Sequence, residues 1–293
     1  MNYIILDLEW DSAYCKKHGR FVNQILQIGA VKLYEIFKII GRFSKTIRSS
    51  FSKKVSQRFA ELTGITTEDM LSGITFCEAV KLYNDWVGED YITLTWSNSD
   101  LYTIMENTRL FLCEGETFKI GRYVDLQKYF QNEMELRGVE IVNQVSLSSA
   151  AEMLSVSTDE FDLHTAVDDS EITSKILKRT YNKERFAGFV KDTENPEFYR
   201  RLMFKNYYLS KLDHKEIKPR HLEFNCDKCG ELAQPVKKFK YKNRWFMNEF
   251  RCNNCGNSFL GRVMFKMTYN GLKVNKRIIY PVKKAKENEA AVQ

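Results

Sequence analysis

Cys226-Asp227-Lys228-Cys229-Gly230 and Cys252-Asn253-Asn254-Cys255-Gly256 repeat one pattern, C-x-x-C-G, with 22 residues between Cys229 and Cys252. No other feature constrains the fold of its part of the chain so strongly. Two such knuckles supply four thiolates, the donor set that Zn²⁺ takes in tetrahedral geometry. A glycine after each pair lets the backbone turn beneath the sulfurs. Four thiolates fill the coordination sphere, so this zinc is expected to be structural and not catalytic.

A disulfide framework is the competing use of paired cysteines, and the N-terminus argues against it. Met1-Asn2-Tyr3-Ile4-Ile5-Leu6 has no basic n-region, and its apolar run stops at Asp7, so it is not expected to act as a signal peptide. No run approaches the ~20 apolar residues of a membrane span. The expected compartment is the cytosol, where thiols stay reduced. Cys15, Cys77 and Cys113 lack metal-like spacing and are expected as ordinary buried or surface thiols.

Between the knuckles, Val236 to Phe250 reads as a hairpin, and Phe259 to Tyr280 as further strands. With the cysteines, this segment resembles a zinc ribbon, expected over 222–282. It is also where the positive charge lies. From Leu222 to Gln293 the chain holds 15 Lys/Arg and 6 Asp/Glu, against 30 and 32 in the preceding residues, within a net charge of +7. A basic appendage on a near-neutral body suits a polyanion, most often nucleic acid, although a solvated basic face would look the same. Lys237, Lys238, Lys240 and Arg244 are interleaved with Phe239, Tyr241 and Trp245. Basic groups attract phosphates and aromatics stack on unpaired bases. The hairpin is thus a candidate nucleic-acid contact through Lys237, Lys238, Lys240, Tyr241 and Arg244, with protein docking as the alternative.

Ahead of the ribbon, three strands are expected over 3–8, 25–34 and 36–47, joined by short turns as an antiparallel meander. Helical patterns follow from Ser56, Thr66 and Thr75, then a strand at Tyr91–Trp96 and a helix from Leu101. A short strand at Arg122–Leu126 precedes helices from Leu126, Ser146 and Thr165. The order implies an α/β fold, a mixed sheet with helices on both faces, over 1–182. Asn195-Pro196 opens a helix expected to reach about Leu212, within a helical connector over 183–221. Residues 283–293 form a polar tail.

Asp7 and Glu9 lie two apart at a strand end, so period-two alternation puts both carboxylates on one side, able to hold a hard divalent cation. Asp100 follows Trp96-Ser97-Asn98-Ser99, a small polar loop at another strand end, where α/β sheets place ligands. His164 precedes Asp168-Asp169 by about one helical turn. Adjacent helical residues point about 100° apart, so only one of the two acids can face a common site.

Asp7-Leu8-Glu9, then Asp100, then His164-x-Ala166-x-x-Asp169, in that order, resembles the DEDDh exonuclease family of the ribonuclease H-like fold. Ile25-Leu26-Gln27-Ile28-Gly29-Ala30-Val31 and Leu62-Thr63-Gly64-Ile65-Thr66 are segments found at similar places in that family. The resemblance implies a 3′→5′ exonuclease acting on a single-stranded RNA or DNA 3′ end. It implies two Mg²⁺ or Mn²⁺ ions held by Asp7, Glu9, Asp100 and Asp169, with His164 as general base, and it selects Asp169 over Asp168. Leu8, Trp10, Leu62 and Thr63 are expected near the terminal nucleotide. Trp96-Ser97 is most similar to the members that trim RNA, which favours RNA over DNA. A non-catalytic binding module is the reading from a different class, and the presence of all four acids and the histidine opposes it.

Overall fold

The apolar run that starts at Tyr3 continues through the acids. In the computed structural model, which describes residues 1–280 apart from 35–36, 112, 114, 160 and 162–164, strand β1 spans Asn2–Cys15. It pairs antiparallel with β2, Arg20–Tyr34, from Tyr3↔Leu33 to Cys15↔Arg20. Both strands are longer than the sequence pattern indicates. They form one hairpin closed by Gly19, whose φ of +61° only a glycine adopts without strain. The register shifts between Glu9 and Trp10, where Leu26 of β2 is left without a partner, so a bulge in β2 interrupts the ladder immediately after the second acid.

β3, Lys38–Thr46, pairs antiparallel with β2 and completes the meander. The first residue of the expected third strand, Ile36, lies outside the described residues. β4 (Tyr91–Thr95) and β5 (Arg122–Asp125) add in parallel, giving the order β3-β2-β1-β4-β5. The helices are α1 Gln57–Thr63, α2 Thr67–Ser72, α3 Phe76–Val87, α4 Ser99–Phe111, α5 Leu126–Leu136, α6 Leu147–Met153, α7 Ala166–Thr180, α8 Lys183–Phe189 and α9 Pro196–Met203. Their starts follow the capping chemistry in the sequence. Thr66 and Thr75 each form a capping box with the acid three residues on, Asp69 and Glu78.

Helices cover both faces of the sheet, and alternation along β1 decides which side chain meets which layer. Ile4, Leu6 and Leu8 join Ala79, Val80 and Tyr83 of α3 and Leu101 and Ile104 of α4. Tyr3 and Ile5 join Tyr129 of α5, Leu177 of α7 and Phe186 of α8 on the other face. Every residue of β4 is buried, as expected for a parallel strand covered twice.

One expectation about the cysteines is overturned. Cys77 and Cys113 are joined by a disulfide, with Cα atoms 5.2 Å apart. α3 carries Cys77, Cys113 follows α4, and both helices cover the same face of the sheet. A sequence separation of 36 residues hides that proximity. Cys15 is a free, buried thiol.

The chain divides into two compact units, Met1–Leu202 and Met203–Gln293. Of the residues expected as a connector, those up to Leu202 fall in the first unit and the remainder in the second. The helix opened by Asn195-Pro196 ends at Met203 instead of near Leu212. Tyr207–Tyr208 forms a short strand, β6, that pairs with the ribbon, and Leu209 is buried in the ribbon core. Burial of Leu209 there, together with the strand preference of paired tyrosines, outweighs helix continuation.

The second unit is a β structure: β7 Phe224–Asn225, β8 Leu232–Pro235, β9 Lys240–Lys242, β10 Trp245–Arg251, β11 Ser258–Thr268 and β12 Gly271–Ile279. Alternate residues Phe246, Phe250, Phe259, Val263 and Phe265 meet Phe224 in its core. The polar tail expected over 283–293 lies outside the described residues. No helix of the described residues is long and apolar enough to cross a membrane.

Candidate active site and zinc centre

Asp7 and Glu9 project from one side of β1, and the first turn of α7 brings Asp169 to them. Ligand oxygens of these three residues lie within 4.8 Å of one another. The approach of α7 depends on β2. Gln27, the register partner of Glu9, accepts a hydrogen bond from the Ala166 backbone N–H through Oε1 (2.9 Å). Gly29, the partner of Asp7, lies against the same turn, and its carbonyl is 3.4 Å from the Ser170 hydroxyl, which donates to the Ala166 carbonyl (2.8 Å). The segment that carries these two residues is visible in the sequence; that they seat α7 is not.

The two adjacent acids of α7 separate as helical geometry requires. Asp168 accepts from the hydroxyl of Thr165, the N-cap, at 2.8 Å. It lies in the helix's first turn, where a negative charge is favoured. Asp169 is the one that joins Asp7 and Glu9.

Asp100 enters from the first turn of α4 and is 4% exposed. Its charge acts on both β1 acids and closes the constellation electrostatically. Removal from water is the main force on all three carboxyls. It raises Asp7 well above the usual carboxylate range, with repulsion from Asp100, Glu9 and Asp169 adding to it. Glu9 is pushed up to about 8 by burial, then by Asp169 and Asp100. Burial pushes Asp100 up to about 7, although hydrogen bonds from its own backbone and from Leu8 pull the other way. Three carboxyls that resist ionisation, crowded with Asp169, are a donor set that one or more hard cations would relieve, and all-oxygen ligands suit Mg²⁺ or Mn²⁺. His164, the expected base, lies outside the described residues.

The residues expected near a terminal nucleotide differ in what they are free to do. Leu8 is buried in the core. Trp10 is part-buried and packs against the same core. Leu62 is exposed, whereas Thr63 is buried, its hydroxyl donating to the Phe59 carbonyl (2.9 Å) and accepting from the Ile65 N–H (3.2 Å). Nothing in the sequence pattern pointed to the clamp that holds α1, which carries both. Asp11 accepts from the backbone N–H (2.6 Å) and hydroxyl (2.9 Å) of Ser56, the N-cap of α1.

In the second unit the four knuckle sulfurs also lie within 4.8 Å of one another. The two knuckles share one hydrogen-bond pattern. Cys226 N–H donates to the Glu231 carbonyl and Gly230 N–H to the Cys226 carbonyl; Cys252, Asn257 and Gly256 repeat it. Gly230 and Gly256 take positive φ, +78° and +68°. The Sγ atoms of Cys226 and Cys255 are 3.6 Å apart, and those of Cys229 and Cys252 are 3.4 Å apart. Zn–S bonds of ~2.3 Å give tetrahedral edges of roughly 3.8 Å, so the cage fits zinc closely. Burial opposes ionisation of Cys226, but hydrogen bonds from Asn257 and from backbone amides outweigh it and bring the thiol down to about 6. Asn257 also donates to Asp227 (3.2 Å), orienting the first knuckle.

A model of the exonuclease family RNase_T matches residues 7–177, more than half of the chain, and spans all four acids. The chain belongs to this exonuclease family. The PolC-type DNA polymerase III of Clostridium perfringens (strain 13 / Type A) is 25% identical over 223 residues, a match covering 75% of this chain and 13% of that protein. The chain therefore spans only a small part of that relative's length. Among solved structures, cell-death related nuclease 4 (CRN-4) is similar with a TM-score of 0.53 and 22% identity over 61% of this chain and 62% of that one. The nuclease domain of 3′hExo, a DEDDh family member bound to rAMP, gives 0.52 and 22% over 61% and 90%. These likenesses establish the exonuclease domain's fold as the ribonuclease H-like α/β sheet expected from the sequence.

Proposed function

We propose that this chain is a metal-dependent 3′→5′ exonuclease that shortens single-stranded nucleic acid, RNA in preference to DNA. The observation that carries the reading is the convergence of Asp7, Glu9 and Asp169 beside buried Asp100, within a domain of the exonuclease family.

In this reading Asp7, Glu9 and Asp169 would hold one divalent cation, and Asp100 with Asp7 would hold a second. Two such ions supply charge stabilisation for an in-line displacement at phosphorus. The chain's own residues do the rest. His164 accepts the proton of the attacking water, a role suited to the imidazole side chain. The new P–O bond forms as the bond to the 3′ oxygen breaks, releasing a nucleoside 5′-monophosphate. Leu62 and Trp10 border the terminal nucleotide, and the basic ribbon binds another part of the strand. Cys226, Cys229, Cys252 and Cys255 hold a structural zinc.

The RNA preference is supported by Trp96-Ser97 and by the ligands named for two solved relatives, rAMP and a histone mRNA stem-loop. The DNA reading is favoured by the name of the curated relative, a DNA polymerase. We assign the exonuclease domain to 1–182 and place its work in the cytosol, where zinc-ligating thiols stay reduced. Thiol counting on protein taken from cells would test that placement against the Cys77–Cys113 bond.

The deciding experiment incubates the protein with 3′- and 5′-labelled single-stranded RNA and DNA of matched sequence, with Mg²⁺ or Mn²⁺, beside Asp7→Ala. Stepwise loss from the 3′ end, absent in the variant and faster on RNA, is expected. No metal-dependent trimming of either polymer would sink the reading and move it to a binding module.

A further inference from the structure

The sequence draws attention to the 236–250 hairpin, yet its side chains divide between two faces. Lys237 is tied to Glu249 by an ion pair of 2.9 Å. Tyr241 lies opposite buried Phe246, ring centroids 4.9 Å apart. Trp245 faces outward beside residues of strands farther along. On β11 the odd-numbered Phe259, Val263 and Phe265 fill the core, which turns Arg262, Met264 and Lys266 to the other side of the sheet.

Two aromatic rings stand on that outer face, each accompanied by two cations. The guanidinium carbons of Arg262 and Arg277 lie over the Trp245 ring at 4.7 and 5.4 Å. Arg244 and Lys266 lie over the Tyr208 ring at 4.6 and 5.7 Å. The cations are concentrated by the register itself. Arg262 and Arg277 are direct cross-strand partners, a like-charge arrangement that destabilises a sheet unless something neutralises it. None of the four cations has a carboxylate partner among the described residues, and the buried Nε of Arg262 has no hydrogen-bond partner there. Aromatic packing holds these groups in place and leaves their charge uncompensated.

We infer that the outer face of the ribbon sheet, built on Tyr208, Arg244, Trp245, Arg262, Lys266 and Arg277, is a binding site for single-stranded nucleic acid. Phosphates complement the clustered cations, and two part-exposed rings offer platforms for unpaired bases. The inference rests on the proposed polymer substrate only for its biological use. Binding by this face requires no catalysis.

The test uses the full chain carrying Asp7→Asn, so that cleavage stays silent, with a fluorescent 12-nucleotide single-stranded RNA. Anisotropy is followed across a salt series. Arg262→Gln/Arg277→Gln should bind about tenfold more weakly, with a log–log salt slope shallower by about 1.4, at ~0.7 for each phosphate no longer neutralised. Lys81→Gln, which removes a charge from α3, should match the parent. Zinc content and melting temperature report whether the double variant is folded; should it lose zinc, the exposed single change Arg277→Gln carries the test, with about half the slope change. Unchanged affinity in a folded arginine variant overturns the proposal. So does arginine-dependent binding of polyglutamate with no binding of RNA, which would make the face a protein-docking site. In parallel, the unmutated protein is given thymidine 5′-p-nitrophenyl phosphate, a substrate too small to need the ribbon. Loss of hydrolysis with binding intact sinks the catalytic reading alone, and the converse sinks the ribbon face alone.

Discussion

Gly29 and Ala166 meet backbone to backbone: a Cβ placed on Gly29 would lie 2.6 Å from the Ala166 Cβ and closer still to the Ala166 carbonyl carbon. That approach sets α7 against β2 directly behind Asp7, and so determines where Asp169 stands relative to Asp7 and Glu9.

Gly29→Ala should therefore damage activity and stability together. The obstruction is backbone, which cannot swing aside, so a cost at or above the ~1–3 kcal/mol usual for overpacking is expected. For a protein of this size that lowers Tm by roughly 2–12 °C. Exonuclease rate should fall by about 100-fold, since misplacement near 1 Å has that effect. Gly188→Ala, within α8 and with open space at its Cβ, should leave both unchanged or raise Tm slightly. Calorimetry and labelled-oligonucleotide trimming read the two outcomes.

Crowding of the carboxyls makes stability depend on pH in an unusual direction. Glu9 titrates near 8 in the folded protein and Asp100 near 7, both above their unfolded values, so the folded state binds more protons through that window. Without divalent cation, stability should decline as pH rises from about 4 to 8, because stability falls wherever the folded state holds the extra protons. Thermal melts in chelator across that range check it. A Tm that rises steadily to pH 8 would contradict the arrangement.

The same carboxyls must lose their protons to hold a cation, so cation binding competes with protonation. The Mn²⁺ concentration needed for half-maximal trimming should rise severalfold or more from pH 8 to pH 6.5. Titrating metal against rate at each pH measures this directly.

Asp7→Asn replaces a carboxyl whose ionisation is opposed by burial and by three acidic neighbours. In the absence of divalent ions its Tm should exceed the parent's by a few degrees, while added Mg²⁺ or Mn²⁺ should no longer raise it appreciably. Activity should be abolished. A variant that is both less stable in chelator and fully stabilised by metal would remove Asp7 from the site.

Zinc removal should act on the second unit. Cys252 is fully buried, and its sulfur lies among those of the other three knuckle cysteines. Cys252→Ser, or treatment with a strong chelator, should abolish the near-ultraviolet signal of Trp245 as the ribbon loses its fixed packing. Elemental analysis should find one zinc per chain in the parent and far less in the variant.

What the sequence alone determines is local. Asp7 and Glu9 share a side because strand side chains alternate, and the knuckles cage a metal because two residues between cysteines bring their sulfurs together. Capping at Thr66 and Thr75, and the first helical turn holding Asp168 and Asp169, are likewise determined within a few residues. These facts follow from covalent spacing and backbone period, which any segment of chain carries with it.

Tertiary structure decided the rest. The pairing of Arg262 with Arg277 follows from the register of β11 on β12, and the Cys77–Cys113 bond, the seat of α7 on Gly29 and the Asp11–Ser56 clamp all join residues far apart in sequence. So do the raised carboxyl pKa values, because desolvation and mutual repulsion exist only after three separate segments have packed side by side. Spacing along a chain specifies which groups are available, whereas distance, burial and field depend on which surfaces the fold brings together.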